Sequence, residues 1–240
     1  MRKTINFFLA QVCLLVISSQ AVSEDQAWFR MIGFSTDGAY VAWKMGGIQD
    51  GSGFQWVEAE VLNTETSLET ARYRYVWDEG VDELPSAEDV AAVEQDILDL
   101  CEKYEISSGN YESPLVHHPL TDLGVKGDTV LFCLESYSPG YNTGEITLSL
   151  ALIPADVEQS YPDWFDSPVT PVLHTARDGE RKLFFSEELV QGQHVLSFDY
   201  TIAAVYRNPV IDNFLLVLLH SVRPGFEGPD GRYRVVSGSI

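Results

Sequence analysis

Residues 33–62 contain the clearest strand-turn-strand pattern in the chain. Two apolar runs, residues 40–45 and 56–62, flank a loop at residues 46–54 that contains four glycines. Because glycine has no Cβ, it reaches positive φ without a steric clash, so such a loop can reverse the chain sharply. The stretch therefore predicts an antiparallel hairpin.

The second run alternates between two kinds of side chain. Trp56, Glu58 and Glu60 alternate with apolar residues, and successive side chains on a strand point to opposite faces. The pattern predicts a strand with one apolar face and one solvated, acidic face. Paired carboxylates of this kind can also act as general acid and base, although an exposed charged face is the simpler interpretation.

Similar apolar runs separated by Gly- and Pro-containing turns recur along the chain. They predict further strands at residues 28–34, 73–77, 129–137, 146–153, 183–185, 195–205, 211–220 and 233–237. Residues 86–104 instead carry apolar residues at helical spacing, and Ser86 with Asp89 forms a capping-box pattern. Residues 107–127 and the proline-rich residues 154–171 are predicted to be irregular. We expect a mainly β protein of antiparallel sheets, with propeller-like or stacked β-hairpins and one amphipathic helix near residues 86–104.

Three of the predicted hairpins share a glycine-aromatic step, at Gly53-Phe54, Gly140-Tyr141 and Gly225-Phe226. The similarity indicates duplicated hairpin units, or simply turn chemistry that recurs. If the loops lie at one edge of the sheets, their side chains form a recognition surface, as loops on β scaffolds often do. The predicted binding residues are Asp50, Ser52, Phe54, Tyr141 and Phe226.

The N-terminus has the pattern of a secretory signal. Arg2 and Lys3 precede an apolar run at residues 5–17, and small residues follow up to Ser23. About 13 apolar residues are too few to span a bilayer, which needs about 20. We expect a cleaved signal peptide at residues 1–23 and a single exported domain at residues 24–240, periplasmic or secreted, with no transmembrane segment.

The chain is strongly acidic. It has 15 Lys and Arg against 36 Asp and Glu, and removal of Arg2 and Lys3 leaves 13 bases and a net charge of about −23. Such a charge repels nucleic acid and anionic membrane surfaces. Nucleic acid is therefore excluded as a partner, and the charge favours solubility or attraction of a basic partner.

Two cysteines, Cys101 and Cys133, remain in the expected mature chain. An oxidising compartment permits a disulfide between them, and closing a loop of that length would stabilise the fold by about 3–4 kcal/mol. The alternative is two buried free thiols, because both residues lie in apolar surroundings.

Several stretches together resemble an uncharacterised family of bacterial predicted secreted proteins with a domain of unknown function. They are FSTDGAYVAW followed by GIQDGSGF, the acidic helix that ends in Tyr-Glu-Ile, and RNPVIDNFLLVLL followed by PGFEGPDGRY. The resemblance covers almost the whole mature chain. It implies export and a shared fold, and it carries no assigned activity or catalytic residues.

The sequence contains no recognisable catalytic motif. Nucleophile-elbow, phosphate-loop, paired-cysteine zinc and EF-hand patterns are missing. No catalytic residue and no cofactor are predicted; calcium at residues 50–53 is a weak alternative, since oxygen ligands suit that ion. We expect a non-enzymatic binding or scaffold module whose partner is an envelope protein or a glycan, or alternatively a hydrolase with a nonstandard carboxylate-based site.

Overall fold

A computed structural model describes residues 26–49, 51–78, 85–119, 127–135, 142–155, 168–186, 197–225 and 229–240. The predicted signal peptide lies outside these residues. The described part of the chain forms twelve strands and one helix: β1 Trp28–Phe34, β2 Tyr40–Ile48, β3 Gln55–Asn63, β4 Leu68–Trp77, α1 Ala87–Lys103, β5 Val116–His117, β6 Thr129–Glu135, β7 Asn142–Pro154, β8 Val169–Arg177, β9 Glu180–Ser186, β10 Asp199–Arg207, β11 Phe214–Pro224 and β12 Pro229–Ser239.

The strands form three sheets of four. Sheet 1 has the order β1-β2-β3-β4, sheet 2 the order β12-β11-β10-β5, and sheet 3 the order β6-β7-β8-β9. The named strand pairs are antiparallel. The predicted mainly β, antiparallel class is confirmed, but the sheets do not close into a propeller. They are stacked.

Sheet 2 is the middle layer of the stack. On β11, Leu215, Val217 and Leu219 pack into a core with sheet 3, whereas Leu216 and Leu218 pack into a second core with sheet 1. Alternate side chains of a strand point to opposite faces, so a strand buried on both faces must be apolar at every position. This explains the unbroken apolar run at the start of β11.

Helix α1 covers the other face of sheet 1. Val93, Ile97 and Cys101 recur at helical spacing and pack in a third core with residues such as Val57 and Val61 of β3. The predicted helix is confirmed with its capping box, because the Ser86 hydroxyl accepts from the Asp89 amide and the Asp89 carboxylate accepts from the Ser86 amide.

Three local predictions were wrong. Residues 169–177 form strand β8 although they include Pro171, which lies near the start of the strand, where a missing N–H is tolerated. The last strand is predicted at residues 233–237, but β12 begins at Pro229, because Pro229 lies opposite Pro224 and the hairpin extends further than expected. The irregular connection at residues 107–127 contains the short strand β5.

Candidate functional site

The loop between β2 and β3 lies at the same end of the molecule as the start of β12. Trp28 at the start of β1 is opposite Gly46 near the end of β2. The preceding residue, Ala27, donates its backbone N–H to the carbonyl oxygen of Gly231 at 3.0 Å. The described strand ends that flank the first and third predicted loops are therefore close together.

The strand ends that flank the second predicted loop lie elsewhere. Ile146 of β7, Arg177 of β8 and Ile240 line one cavity of about 510 Å³. Ile240 follows the last residue of β12, whereas Gly231 is close to its first residue. An eleven-residue strand is about 36 Å long. The ends of β6 and β7 are therefore placed away from the edge that carries the other two loops.

The described residues of this loop, 49 and 51–54, form hydrogen bonds with one another. The Ser52 hydroxyl donates to Gln49 Oε1 at 3.1 Å and accepts from the Phe54 amide at 3.3 Å. The Gln49 amide in turn donates to the Phe54 carbonyl oxygen at 2.7 Å. The Ser52 hydroxyl therefore stabilises the turn, and the Phe54 side chain beside it is half-buried.

The other predicted binding residues, Asp50, Tyr141 and Phe226, lie outside the described residues. Within the described ranges, no group of three or more His, Cys, Asp or Glu side chains is arranged to hold a metal ion.

An exposed aromatic surface lies next to this loop, on the face of sheet 1 that also carries α1. Trp28, Gly46, Val57 and Tyr75 are opposite one another across the four strands. The next row contains Ile48 and Trp77, and directly opposed residues share one face of a sheet. We call Trp28, Ile48, Tyr75 and Trp77 the aromatic ledge.

The side chains of the aromatic ledge are both accessible and held in place. The exposed fractions are 46% for Trp28, 57% for Ile48 and 41% for Tyr75. The rings of Tyr75 and Trp77 meet edge to face with 5.1 Å between centroids. Grouped exposure of large apolar side chains is typical of an interaction surface.

Gly46 allows the Trp28 ring to lie directly on the backbone of β2. A Cβ at position 46 would lie 2.5 Å from Cζ2 of Trp28 and 2.6 Å from the carbonyl oxygen of Trp56. Any larger residue would push the indole away. The ledge therefore depends on a glycine that the sequence alone indicated only as a turn former.

The acidic face of β3 is buried, so the prediction of a solvated face was wrong. Glu58 is 6% exposed, because this face packs against sheet 2 through its neighbours Trp56 and Leu62. Burial, followed by a hydrogen bond to Glu58, raises the pKa of Glu60 to about 8. Charged carboxylates are costly to bury, and a shared proton lowers that cost.

Arginines of the neighbouring strand β4 compensate the two glutamates. Arg72 Nη2 lies 3.4 Å from Glu60 Oε1, and Arg74 Nε lies 3.7 Å from Glu58 Oε2. Arg72 also forms an ion pair with Glu69. Together these residues form a closed network of carboxyl and guanidinium groups.

Trp56 joins this network to sheet 2. The Arg74 guanidinium lies 5.9 Å from the Trp56 ring centroid and the Arg232 guanidinium of β12 lies 4.8 Å from it. Both distances are in the range of cation–π contacts. Arg232 is further held by Asp230 at 3.0 Å.

The two cysteines are free thiols in the structure. Cys101 is buried on the inner face of α1, whereas Cys133 of β6 is exposed. Of the two alternatives that the sequence left open, the structure contains free thiols, although only one of them is buried.

Comparison with known proteins finds no matching family model, no similar curated protein and no similar solved structure. The resemblance to a bacterial secreted family therefore stays a prediction. Over the described residues, no helix has the length and apolar character needed to cross a membrane.

Proposed function

We propose that this chain is an exported cell-envelope protein that acts as a non-enzymatic binding module. The observation that carries the proposal is the aromatic ledge, in which Trp28, Ile48 and Tyr75 are exposed across the strands at one end of sheet 1. Export is supported by the signal pattern at residues 1–23 and by the secreted-family resemblance.

The chemistry of the ledge favours a protein partner. Tryptophan and tyrosine supply a large contact area at low entropic cost and dominate binding energy at protein interfaces. Ile48 adds an aliphatic surface beside them. The remaining surface is strongly acidic, so a partner with basic residues around an apolar centre would complement it.

The test compares two variants of residues 24–240. The double variant Trp28→Ala/Tyr75→Ala removes most of the ledge, and Leu131→Ala removes a comparably exposed side chain of sheet 3 as the matched control. Envelope proteins retained by the immobilised native chain are identified by mass spectrometry, and the affinity of each purified candidate is then measured by calorimetry. We expect the ledge variant to lose about 2 kcal/mol or more of binding free energy and the control to lose none.

Two outcomes would contradict the proposal in different ways. Unchanged affinity in a ledge variant that keeps its circular dichroism spectrum would mean that the ledge is not the binding surface. Ledge-dependent binding of purified envelope glycan, with no protein retained, would keep the surface and replace the class of partner.

A carboxylate-based hydrolase is the second candidate, and the Glu58–Glu60 pair is the observation that favours it. A carboxyl with its pKa raised to about 8 is protonated at neutral pH and has the state required of a general acid. Glycoside and ester model substrates assayed from pH 5 to 9 test this candidate. Activity that is lost in Glu60→Gln would support it, and an absence of turnover in the native protein would reject it.

A further inference from the structure

A groove of about 220 Å³ lies between the edge strand β1 and helix α1. Arg30 and Ile32 line it from β1, Ile97 and Leu98 from α1, and Gly109 and Tyr111 from the turn that follows α1. None of the ledge residues lines the groove, so a ligand could bind in the groove whether or not the ledge is occupied.

The outer edge of β1 is occupied at its C-terminal half. The Gly109 amide donates to the Ile32 carbonyl oxygen at 2.8 Å, and the Phe34 amide donates to the Asn110 carbonyl oxygen at 2.9 Å. At the other end, Ala27 bonds to Gly231. Among the described residues, no strand pairs with the outer edge from residue 28 to residue 31.

An open strand edge beside a helix can accept an extended peptide as an additional strand. A peptide that pairs with residues 28–31 would reach the turn at Gly109. The Gly109 amide already bonds to Ile32, the next residue along the outer edge of β1. A continuing chain would have to leave the sheet at that point. A chain that ends there fits without bending.

The charges in the groove suit a peptide carboxylate. The Lys44 ammonium is paired with Glu94, but Arg30 is exposed and has no ion pair or hydrogen bond with any described residue. The Arg30 guanidinium is therefore available to an anionic ligand in this groove. Guanidinium groups bind carboxylates through two parallel N–H donors.

The wall opposite β1 is apolar apart from Glu94, whose charge is paired with Lys44. Leu98 is 49% exposed and Tyr111 is 39% exposed, and both face the groove above the buried Ile97. They offer a contact for an apolar side chain next to the carboxylate.

We propose that this groove binds the free C-terminal end of an extended peptide. The terminal carboxylate pairs with Arg30, the last side chain packs against Leu98 and Tyr111, and the preceding residues pair with the open edge of β1. The ligand class is therefore a chain terminus with an apolar last residue, supplied by another protein.

The experiment uses a set of fluorescein-labelled hexapeptides whose last residue is varied among Val, Leu, Phe, Ser and Asp. Each is prepared with a free C-terminal carboxylate and as the C-terminal amide, and binding to the purified protein is followed by fluorescence anisotropy. We expect the free acids ending in apolar residues to bind, and their amides to bind about tenfold more weakly because the charge-assisted pair is lost.

Three variants locate the site, and a fourth separates it from the ledge. Arg30→Ala should weaken the free acids about tenfold and leave the amides unchanged, and Leu98→Asp should weaken both. Lys103→Ala removes an exposed cation of α1 outside the groove and should change neither. Tyr75→Ala separates this site from the ledge, because Tyr75 lies on β4, outside the groove. Unchanged binding of the ledge partner with retained acid selectivity would show that only the groove proposal holds.

Equal binding of acid and amide, unchanged binding in a folded Arg30→Ala variant, or no binding by any peptide of the set would each overturn the proposal.

Discussion

The carboxyl groups of Glu58 and Glu60 lie on the face of sheet 1 that packs against sheet 2, with the Arg72 guanidinium 3.8 Å from one and 3.4 Å from the other. Two neighbouring carboxylates repel each other when both are charged, so burying the pair costs least while one of the two keeps its proton. The arginines of β4 lower the cost of the remaining charge, with Arg72 and Arg74 both within 4 Å of Glu58. The free energy of unfolding should therefore depend on pH through this network.

We predict that the stability of the protein falls as the pH rises from about 6.5 to about 8. The pKa of Glu60 is raised from 4.5 to about 8, so its stabilising contribution is fully present below pH 4.5 and is lost as the pH rises through 8. One such group changes the free energy of unfolding by at most about 1.4 kcal/mol per pH unit. Urea denaturation across this range measures the slope.

Glu60→Gln should remove this slope and make the protein more stable than the native chain above pH 8. Glu65→Gln, on an exposed position in the β3–β4 turn, is the matched control and should leave the slope unchanged. The same slope in Glu60→Gln and in the native protein would show that the pair does not hold the proton.

The buried His220 should give the opposite slope at lower pH, where the stability rises with pH. Burial lowers its pKa to about 4, while its Nε2 lies 3.2 Å from Gln26 Oε1 and its ring packs edge to face on Tyr233. A depressed pKa gives stability that is present above pH 6.5 and is lost as the pH falls toward 4.

Between about pH 4.5 and 6.5 the contributions of His220 and Glu60 therefore cancel, so the native curve is flat there and each single variant exposes the other slope. His220→Gln should give stability that falls from pH 4.5 onward, whereas His117→Gln, at an exposed position, should keep the flat region. A curve for His220→Gln that stays parallel to the native one would contradict the prediction.

Asn208 should be among the residues that contribute most to stability. It is fully buried, its Nδ2 donates to the Gly38 carbonyl oxygen at 2.9 Å, and its Oδ1 accepts from the amides of Val210 and Ile211. It thus joins the β10–β11 turn of sheet 2 to the β1–β2 turn of sheet 1. Asn208→Ala leaves the amides of Val210 and Ile211 without this acceptor and the Gly38 carbonyl oxygen with only the Thr64 hydroxyl. We expect a loss of about 3 kcal/mol in thermal or urea unfolding.

Asn208→Asp separates the two halves of this contact. It keeps the acceptor for the two amides but replaces the donor to Gly38 by a charged oxygen, so it should be nearly as destabilising as alanine. The control is Asn63→Ala, which removes an exposed bond to the Thr66 amide in another turn and should cost about 1 kcal/mol or less. Equal costs for Asn63→Ala and Asn208→Ala would contradict the proposed link between the sheets.

Local patterns in the sequence were sufficient for the helix and for most strands, because capping and periodicity act within a few residues. The capping box at Ser86 and the alternation in β3 are examples. Burial of Glu58 could not be read in the same way, because it depends on which sheet packs against β3, and sheet 2 is formed mainly by strands more than 130 residues later.

The aromatic ledge was missed for a related reason. Trp28 and Tyr75 belong to one surface only because four strands pair in one register. A shift of one residue would send one of them to the other face. Composition indicated many aromatics, but register decides which of them meet.

The two thiols should differ sharply in reactivity. Cys101 is 3% exposed and burial raises its pKa, although Lys44 acts in the other direction; Cys133 is exposed on β6. The thiolate is the reactive form, so a maleimide reagent at neutral pH should label Cys133 rapidly and Cys101 only when the protein unfolds. Cys133→Ser, in protein lacking residues 1–23, should abolish the rapid phase, whereas Cys101→Ala should leave it intact. Protein purified from an oxidising compartment that reacts with no reagent until it is reduced would instead show that the disulfide forms, and that β6 and α1 approach more closely than the structure places them.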